Sequence, residues 1–277
     1  MIFDERSCGL GEGPLWHPKR QELFWFDINA RKLHTKAQTW DFDLSISAAG
    51  WVDENTLLIA SEIGLHRFDI ASGTLSDPIV QIEADNKVTR SNDGRADPWG
   101  GFWIGTMGFD AEPNAGAIYR FYKGELRVMA PDISISNAIC FTPDRAFAHY
   151  TDTLTKQIMR IPLDPDTGWP SAKAYVWLDL TEANVNPDGA VIDAHGTLWV
   201  ALWGSSCVNG YAPDGTLVAS HKVPARHVTC PAFGGADLSD LYITSATQDV
   251  RGTLGDNGKT FCIQDVGTGQ QEHQVIL

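Results

Sequence analysis

The chain has 277 residues, 43% of them apolar, and carries 21 Lys and Arg against 35 Asp and Glu, for a net charge of −14. That length buries a large core as one domain or two. The acidic balance has no basic run to offset it and argues against a nucleic-acid partner or an anionic membrane surface.

In chain order, MIFDERS (1–7) has two acids in its first five residues and no apolar stretch of the kind a secretory signal needs. No run anywhere approaches the roughly 20 apolar residues of a membrane helix. Cys8, Cys140, Cys207, Cys230 and Cys262 stand far apart, form no C-x-x-C pair and leave one over, as reduced, buried thiols do. A cytoplasmic protein is expected.

SCGLGEGPLWHP (7–18) places Glu12 within a run of glycines closed by Pro14. The G-x-G pattern is not followed by a strand-to-helix transition, and a carboxylate stands where a phosphate would be repelled, so nucleotide readings fail. The glycines let the backbone turn sharply and Pro14 fixes its exit, ahead of the first full repeat.

From there a small unit recurs: a polar turn, an aromatic or apolar strand, a second turn and a second strand. RQELFWFDINARKLHTK (20–36), DENTLLIASEIGLHRFD (53–69) and PWGGFWIGTM (98–107) leading to GAIYRF (116–121) are instances. The segments 144–164, 195–215 and 238–247 continue the series. The strand centres lie about 43 residues apart, the period of propeller blades, and about six four-stranded blades account for the chain. Aromatic clusters such as LFWFDI (23–28) favour strands, and LDLTEANV (178–185), the best helical segment, is short and stopped by Pro187. No Pro/Ser-rich linker interrupts the series, so the expectation is one all-β, six-bladed β-propeller domain over residues 1–277.

Blades converge on an axis, which brings distant residues together. Asn92-Asp93-Gly94 in RSNDG, Asn137 in SNAI and Asp188 in NPDGA each read alone as turn residues. All three, like Glu12, stand beside an inner strand at one place in the repeat.

These motifs carry a resemblance. GEGPLW, RSNDGRADPWGGFWIGTM, GAIYR, ISNAICFTPD, YTDT and NPDGAVIDAHGTLWVA occur in that order over essentially the whole chain, which is similar to the SMP-30/gluconolactonase/luciferin-regenerating (regucalcin-like) family. The resemblance implies a six-bladed β-propeller and a metal-dependent sugar lactonase. It assigns the metal ligands to Glu12, Asn137 and Asp188, and substrate contacts to Arg90 and Asn92. Asp110, three residues after Met107, stands roughly where relatives use an acid toward substrate hydroxyls, on a loop (108–116) shorter than in the regucalcin-like branch. Relatives also have an acid at Asp152, which either supports the site or caps a turn.

Two carboxylates and an amide oxygen suit one divalent ion, whether Ca, Mg, Mn, Zn or Fe(II). Three protein ligands leave positions open for water and a substrate oxygen. Asp188 is the candidate to accept a proton from the attacking water. The expected partner is a small sugar lactone, with no nucleic acid and no membrane, and a closed propeller is by default a monomer. The alternatives are an organophosphate or phosphoester hydrolase, and a calcium-binding regulatory propeller without turnover.

Other motifs carry less. The eight histidines form no H-E-x-x-H, WGSSC (203–207) is not a nucleophile elbow, and DPDTG (164–168) lacks the Glu that completes a calcium loop.

Overall fold

The computed structural model describes residues 1–277 as six antiparallel four-stranded sheets, each formed by strands consecutive in space, with one short 3-10 turn at Thr153–Thr155. The sheets are the blades of a propeller. Their inner strands are Gly11–His17, Ile46–Trp51, Thr89–Ala96, Ser136–Phe141, Asn186–Ile192 and His227–Gly234, which number blades 1 to 6 below. The first and last strands both lie in blade 6: the N-terminal strand Ile2–Asp4 pairs with the last strand, Thr260–Ile263, with Ile2 opposite Phe261. One blade built from both ends closes the ring and leaves no open interface between first and last blades.

The apolar runs follow from this stacking, because a strand packed between two neighbouring blades buries both of its faces. Leu57 and Ile59 pack with blade 1, while Leu58 and Ala60, from the same strand, pack with blade 3. Phe102 and Ile104 likewise face blade 2 and Trp103 faces blade 4. The core is therefore six apolar clusters, one between each pair of neighbouring blades. The outer strands differ: Thr74–Gln81 alternates with solvent and carries Pro78, which an edge strand tolerates.

A turn motif recurs at the end of two inner strands. Asp97 accepts from the Trp99 and Gly101 N–H groups and from Trp103 Nε1, and Asp193 accepts from the His195 and Thr197 N–H groups and from Trp199 Nε1. Asp97 also holds the buried Arg120 at 2.6 Å. The segment 178–185 forms the end of an outer strand followed by a turn, and Asp164 of DPDTG caps a surface turn through the Asp166 and Thr167 N–H groups.

The C-terminal residues cross the same end of the ring, opposite the glycine-rich N-terminal motif. Ala194 N–H bonds to Thr268 O, Trp51 Nε1 to Glu272 O and Ile276 N–H to Gly100 O, while Arg95 pairs with Glu272 at 2.6 Å. This tail covers one mouth of the central channel. No helix is long and apolar enough to cross a membrane.

Candidate functional site

Every inner strand is bulged near its start, where its register against the second strand slips by one residue. In blades 1, 3, 4 and 5 the slip lies between Glu12 and Leu15, Ser91 and Gly94, Asn137 and Cys140, and Pro187 and Ala190. A bulge re-aims side chains out of the sheet, here toward the axis. Gly13, at φ +53°, makes the turn in blade 1; a Cβ there would lie 2.3 Å from Ser47 O. Ala138 takes the same left-handed conformation after Asn137, at φ +55°, although it is not glycine. Glu12 thus lies within the inner strand of blade 1 and not ahead of the blade, as its place before the first aromatic strand suggested. Leu15 and Trp16 then pack to opposite sides, Leu15 toward blade 2 and Trp16 stacked on Tyr242 of blade 6 at 5.6 Å.

At this end of the channel lies a cavity of about 490 Å³ whose walls include Glu12, Arg90, Asn92, Asp110, Asn137 and Asp188. All six sequence candidates meet there. Blade 1 supplies Glu12, blade 3 Arg90 and Asn92, blade 4 Asn137 and blade 5 Asp188, and all five are buried. Asp110 stands exposed at the rim, on the loop after Phe102–Gly108. The inner strands of blades 2 and 6 carry hydroxyls at comparable positions, and these are turned to other partners: Ser47 to Ser91 Oγ, and Thr229 to Gly11 O. Among the sequence candidates, the buried charged side chains therefore come from blades 1, 3 and 5 and the two amides from blades 3 and 4, while Asn186, Gln248 and Asp249 add further polar groups to the wall.

The floor is short of positive charge. Burial raises the carboxyl groups of Glu12 and Asp188, each further raised by neighbouring carboxylates; Glu12 reaches about 8. Asp93, deeper in the channel, is pushed up to about 6 by burial even though it accepts from Ile139 N–H at 2.7 Å. Arg90 faces Glu12 and Asp188; burial lowers its pKa to about 10, and the charges of those two acids oppose that shift. The guanidinium near Asp93 is Arg95, which is already paired with Glu272. Ionising Glu12 and Asp188 together leaves more negative charge than Arg90 alone offsets, an electrostatic demand for a cation.

The polar side chains are ordered by directional bonds. Arg90 Nη1 donates to Asn92 Oδ1 at 2.8 Å, and Asn92 Nδ2 donates to Ser136 O at 2.9 Å and to Asn137 Oδ1 at 3.3 Å. Asn137 Nδ2 donates to Thr153 Oγ1 at 2.9 Å. One oxygen of Glu12 accepts from Gly13 N–H at 3.0 Å. Nowhere in the chain do three His, Cys, Asp or Glu side chains converge as a metal site. The oxygen set here is two carboxylates completed by an amide, and its donor chemistry fits a hard divalent ion.

Asp152 does not line the cavity. It caps the 3-10 turn through Leu154 N–H and accepts from the Ser134 and Ile135 N–H groups. Thr153 and Trp203 are among the wall residues that the sequence candidates did not include. Thr153 follows Asp152, which ends the second strand of blade 4, and in the sequence only the YTDT motif marks its neighbourhood. Trp203 stacks on His227 with ring centroids 4.3 Å apart and planes within 5°, and His227 Nδ1 is held by Gln248 O at 2.8 Å. Trp203 and His227 belong to different blades, so no local motif joins them.

The model of the SMP-30/Gluconolactonase/LRE-like region matches residues 10–247. A Rhizobium meliloti protein named as a sugar lactone lactonase is 40% identical over 94% of this chain and 91% of its own length. The 6-deoxy-6-sulfogluconolactonase of Pseudomonas putida is 34% identical over 87% of this chain and 84% of its own. A solved structure described as a calcium-binding protein, regucalcin, from Agrobacterium tumefaciens superposes with a TM-score of 0.97 at 38% identity, covering 100% of this chain and 97% of that one.

Proposed function

We propose that this chain, which belongs to the SMP-30/gluconolactonase/LRE-like family, is a divalent-metal-dependent hydrolase that opens sugar lactones to their aldonic acids. The observation that carries the reading is the meeting of Glu12, Asn137 and Asp188 with Arg90 and Asn92 in one cavity. The names of relatives that act on sugar lactones support the substrate class.

Glu12, Asn137 and Asp188 would hold the ion through oxygen atoms. When bound, it supplies Lewis-acid polarisation of a carbonyl oxygen and neutralises the buried acids. The remaining chemistry belongs to the chain. Arg90 and Asn92 orient the lactone by donating to its oxygens, and Asp110 at the rim accepts from a sugar hydroxyl. Asp188 accepts a proton as water oxygen bonds to the carbonyl carbon. The ring C–O bond then breaks with its electron pair on the ring oxygen, which takes a proton back from Asp188. Atoms balance as lactone plus water gives the hydroxy acid.

The test is acid release, followed by pH indicator, from a panel of pentono- and hexono-1,4- and 1,5-lactones, compared with the uncatalysed rate and with a phosphotriester and a phosphomonoester. Acceleration confined to lactones is expected. Hydrolysis of phosphoesters alone would replace this reading with the phosphoester one.

A further inference from the structure

The amide of Asn137 is oriented from two fixed ends. The carbonyl of Pro187 can only accept, so the Thr153 hydroxyl gives its proton to it at 2.8 Å. Thr153 Oγ1 is left as an acceptor and takes the Asn137 Nδ2 donor at 2.9 Å. At the other end Arg90 can only donate, which makes Asn92 Oδ1 the acceptor and Asn92 Nδ2 the donor toward Asn137 Oδ1. Both ends demand the same orientation, with the Asn137 oxygen turned away from Thr153.

We infer that Thr153 is a positioning residue that holds Asn137 as an oxygen donor to a divalent cation. The inference rests on the reading of Glu12, Asn137 and Asp188 as that cation's ligands. Thr153 is suited to the task because it is itself fixed: it is buried, opens the 3-10 turn Thr153–Thr155, and follows the capping Asp152. The peptide carbonyl it bonds is the one that joins Pro187 to Asp188. One hydroxyl thus ties the oxygen donor of blade 4 to the backbone that enters the carboxylate of blade 5. Without it, Asn137 can rotate its amide and present N–H to the ion, and the Pro187 carbonyl loses its partner.

The experiment is calorimetric titration of Mn(II) alone into the metal-stripped full-length chain, as wild type, Thr153→Val and Thr153→Ser, with a metal-free thermal melt of each. Loss of a group that orients a ligand typically weakens metal binding about 10–100-fold, which is the expectation for valine. Serine, which keeps the hydroxyl, is expected to stay within a few-fold of wild type. If the valine variant does not fold, Thr153→Ala carries the same comparison. Wild-type affinity in the hydroxyl-less variant would overturn the role of Thr153 while leaving the ligand reading intact. Loss in serine with wild-type affinity in valine would overturn it in favour of methyl packing, equal losses in both would overturn it in favour of the packing of the whole side chain, and no binding by the wild type would overturn both readings.

Discussion

Arg90 Nη1 donates to Asn92 Oδ1 at 2.8 Å, and the same nitrogen reaches Ser91 O at 2.9 Å, so one buried cation braces the bulge of blade 3 while facing Glu12 and Asp188. A guanidinium does this with two N–H groups of one nitrogen held in a fixed plane, whereas an ammonium is a point charge on a flexible stem. Arg90→Lys is expected to keep the fold and lower kcat/KM about tenfold or more, mostly through KM, because charge is retained and orientation is lost. Steady-state kinetics on the best lactone checks this. An unchanged KM would remove Arg90 from substrate positioning.

The proposed reaction gives Asp188 the proton-transfer role. Asp188→Asn keeps the shape and an oxygen donor but removes the base, and turnover at saturating metal should fall about 10²–10⁴-fold. Far-ultraviolet circular dichroism should match wild type. Near-normal turnover would sink the assignment.

Away from the cavity, Arg120 and Asp97 are both fully buried and pair at 2.6 Å, with Trp103 Nε1 on the same carboxylate oxygen. Removing one partner leaves a buried charge uncompensated. Asp97→Ala should destabilise the protein by about 3–5 kcal/mol in urea unfolding. A loss below about 1 kcal/mol, the range of exposed pairs, would contradict the account.

His149 gives a pH signature independent of the site. Burial, and secondly the charge of Arg160, lowers its pKa to about 3, and its Nε2 accepts from Arg160 Nε at 2.8 Å. The unfolded chain takes up this proton near the ordinary value of 6.5 and the folded one does not. Stability from this group is therefore present above pH 6.5 and lost as pH falls toward 3. His149→Gln keeps an acceptor for Arg160 without the titration, so its stability relative to wild type should improve between pH 7 and pH 4.5. Urea midpoints at the two pH values measure this, and parallel shifts of both proteins would refute it.

The blades were legible because a strand buried on both faces must be apolar throughout, which makes LFWFDI and GFWIGTM stand out, and because turns repeat at one period. The four polar positions were legible as repeat-equivalent residues, and the resemblance supplied roles that spacing alone does not. What was hidden is non-local. The pairing of Ile2–Asp4 with Thr260–Ile263 joins the chain's two ends, and the tail's Glu272 meets Arg95 across the channel floor. Thr153 was hidden for a different reason: its function lies in the direction of one hydroxyl bond to a proline carbonyl in the next blade, and residue type does not encode that direction. The place of Glu12 was misjudged by one element because glycines and a proline read as a lead-in, when they build a bulge inside the strand itself.

The central claim is that the cavity's carboxylates and amide act through a bound divalent ion. The most direct measurement is a titration of metal-stripped protein with Ca, Mg, Mn, Zn or Fe(II), recording ion binding and lactone hydrolysis on the same sample. The account predicts that both rise together, saturate at one ion per chain, and are lost together in Glu12→Gln. Full lactone hydrolysis by the stripped protein, unchanged by any added ion, would contradict it.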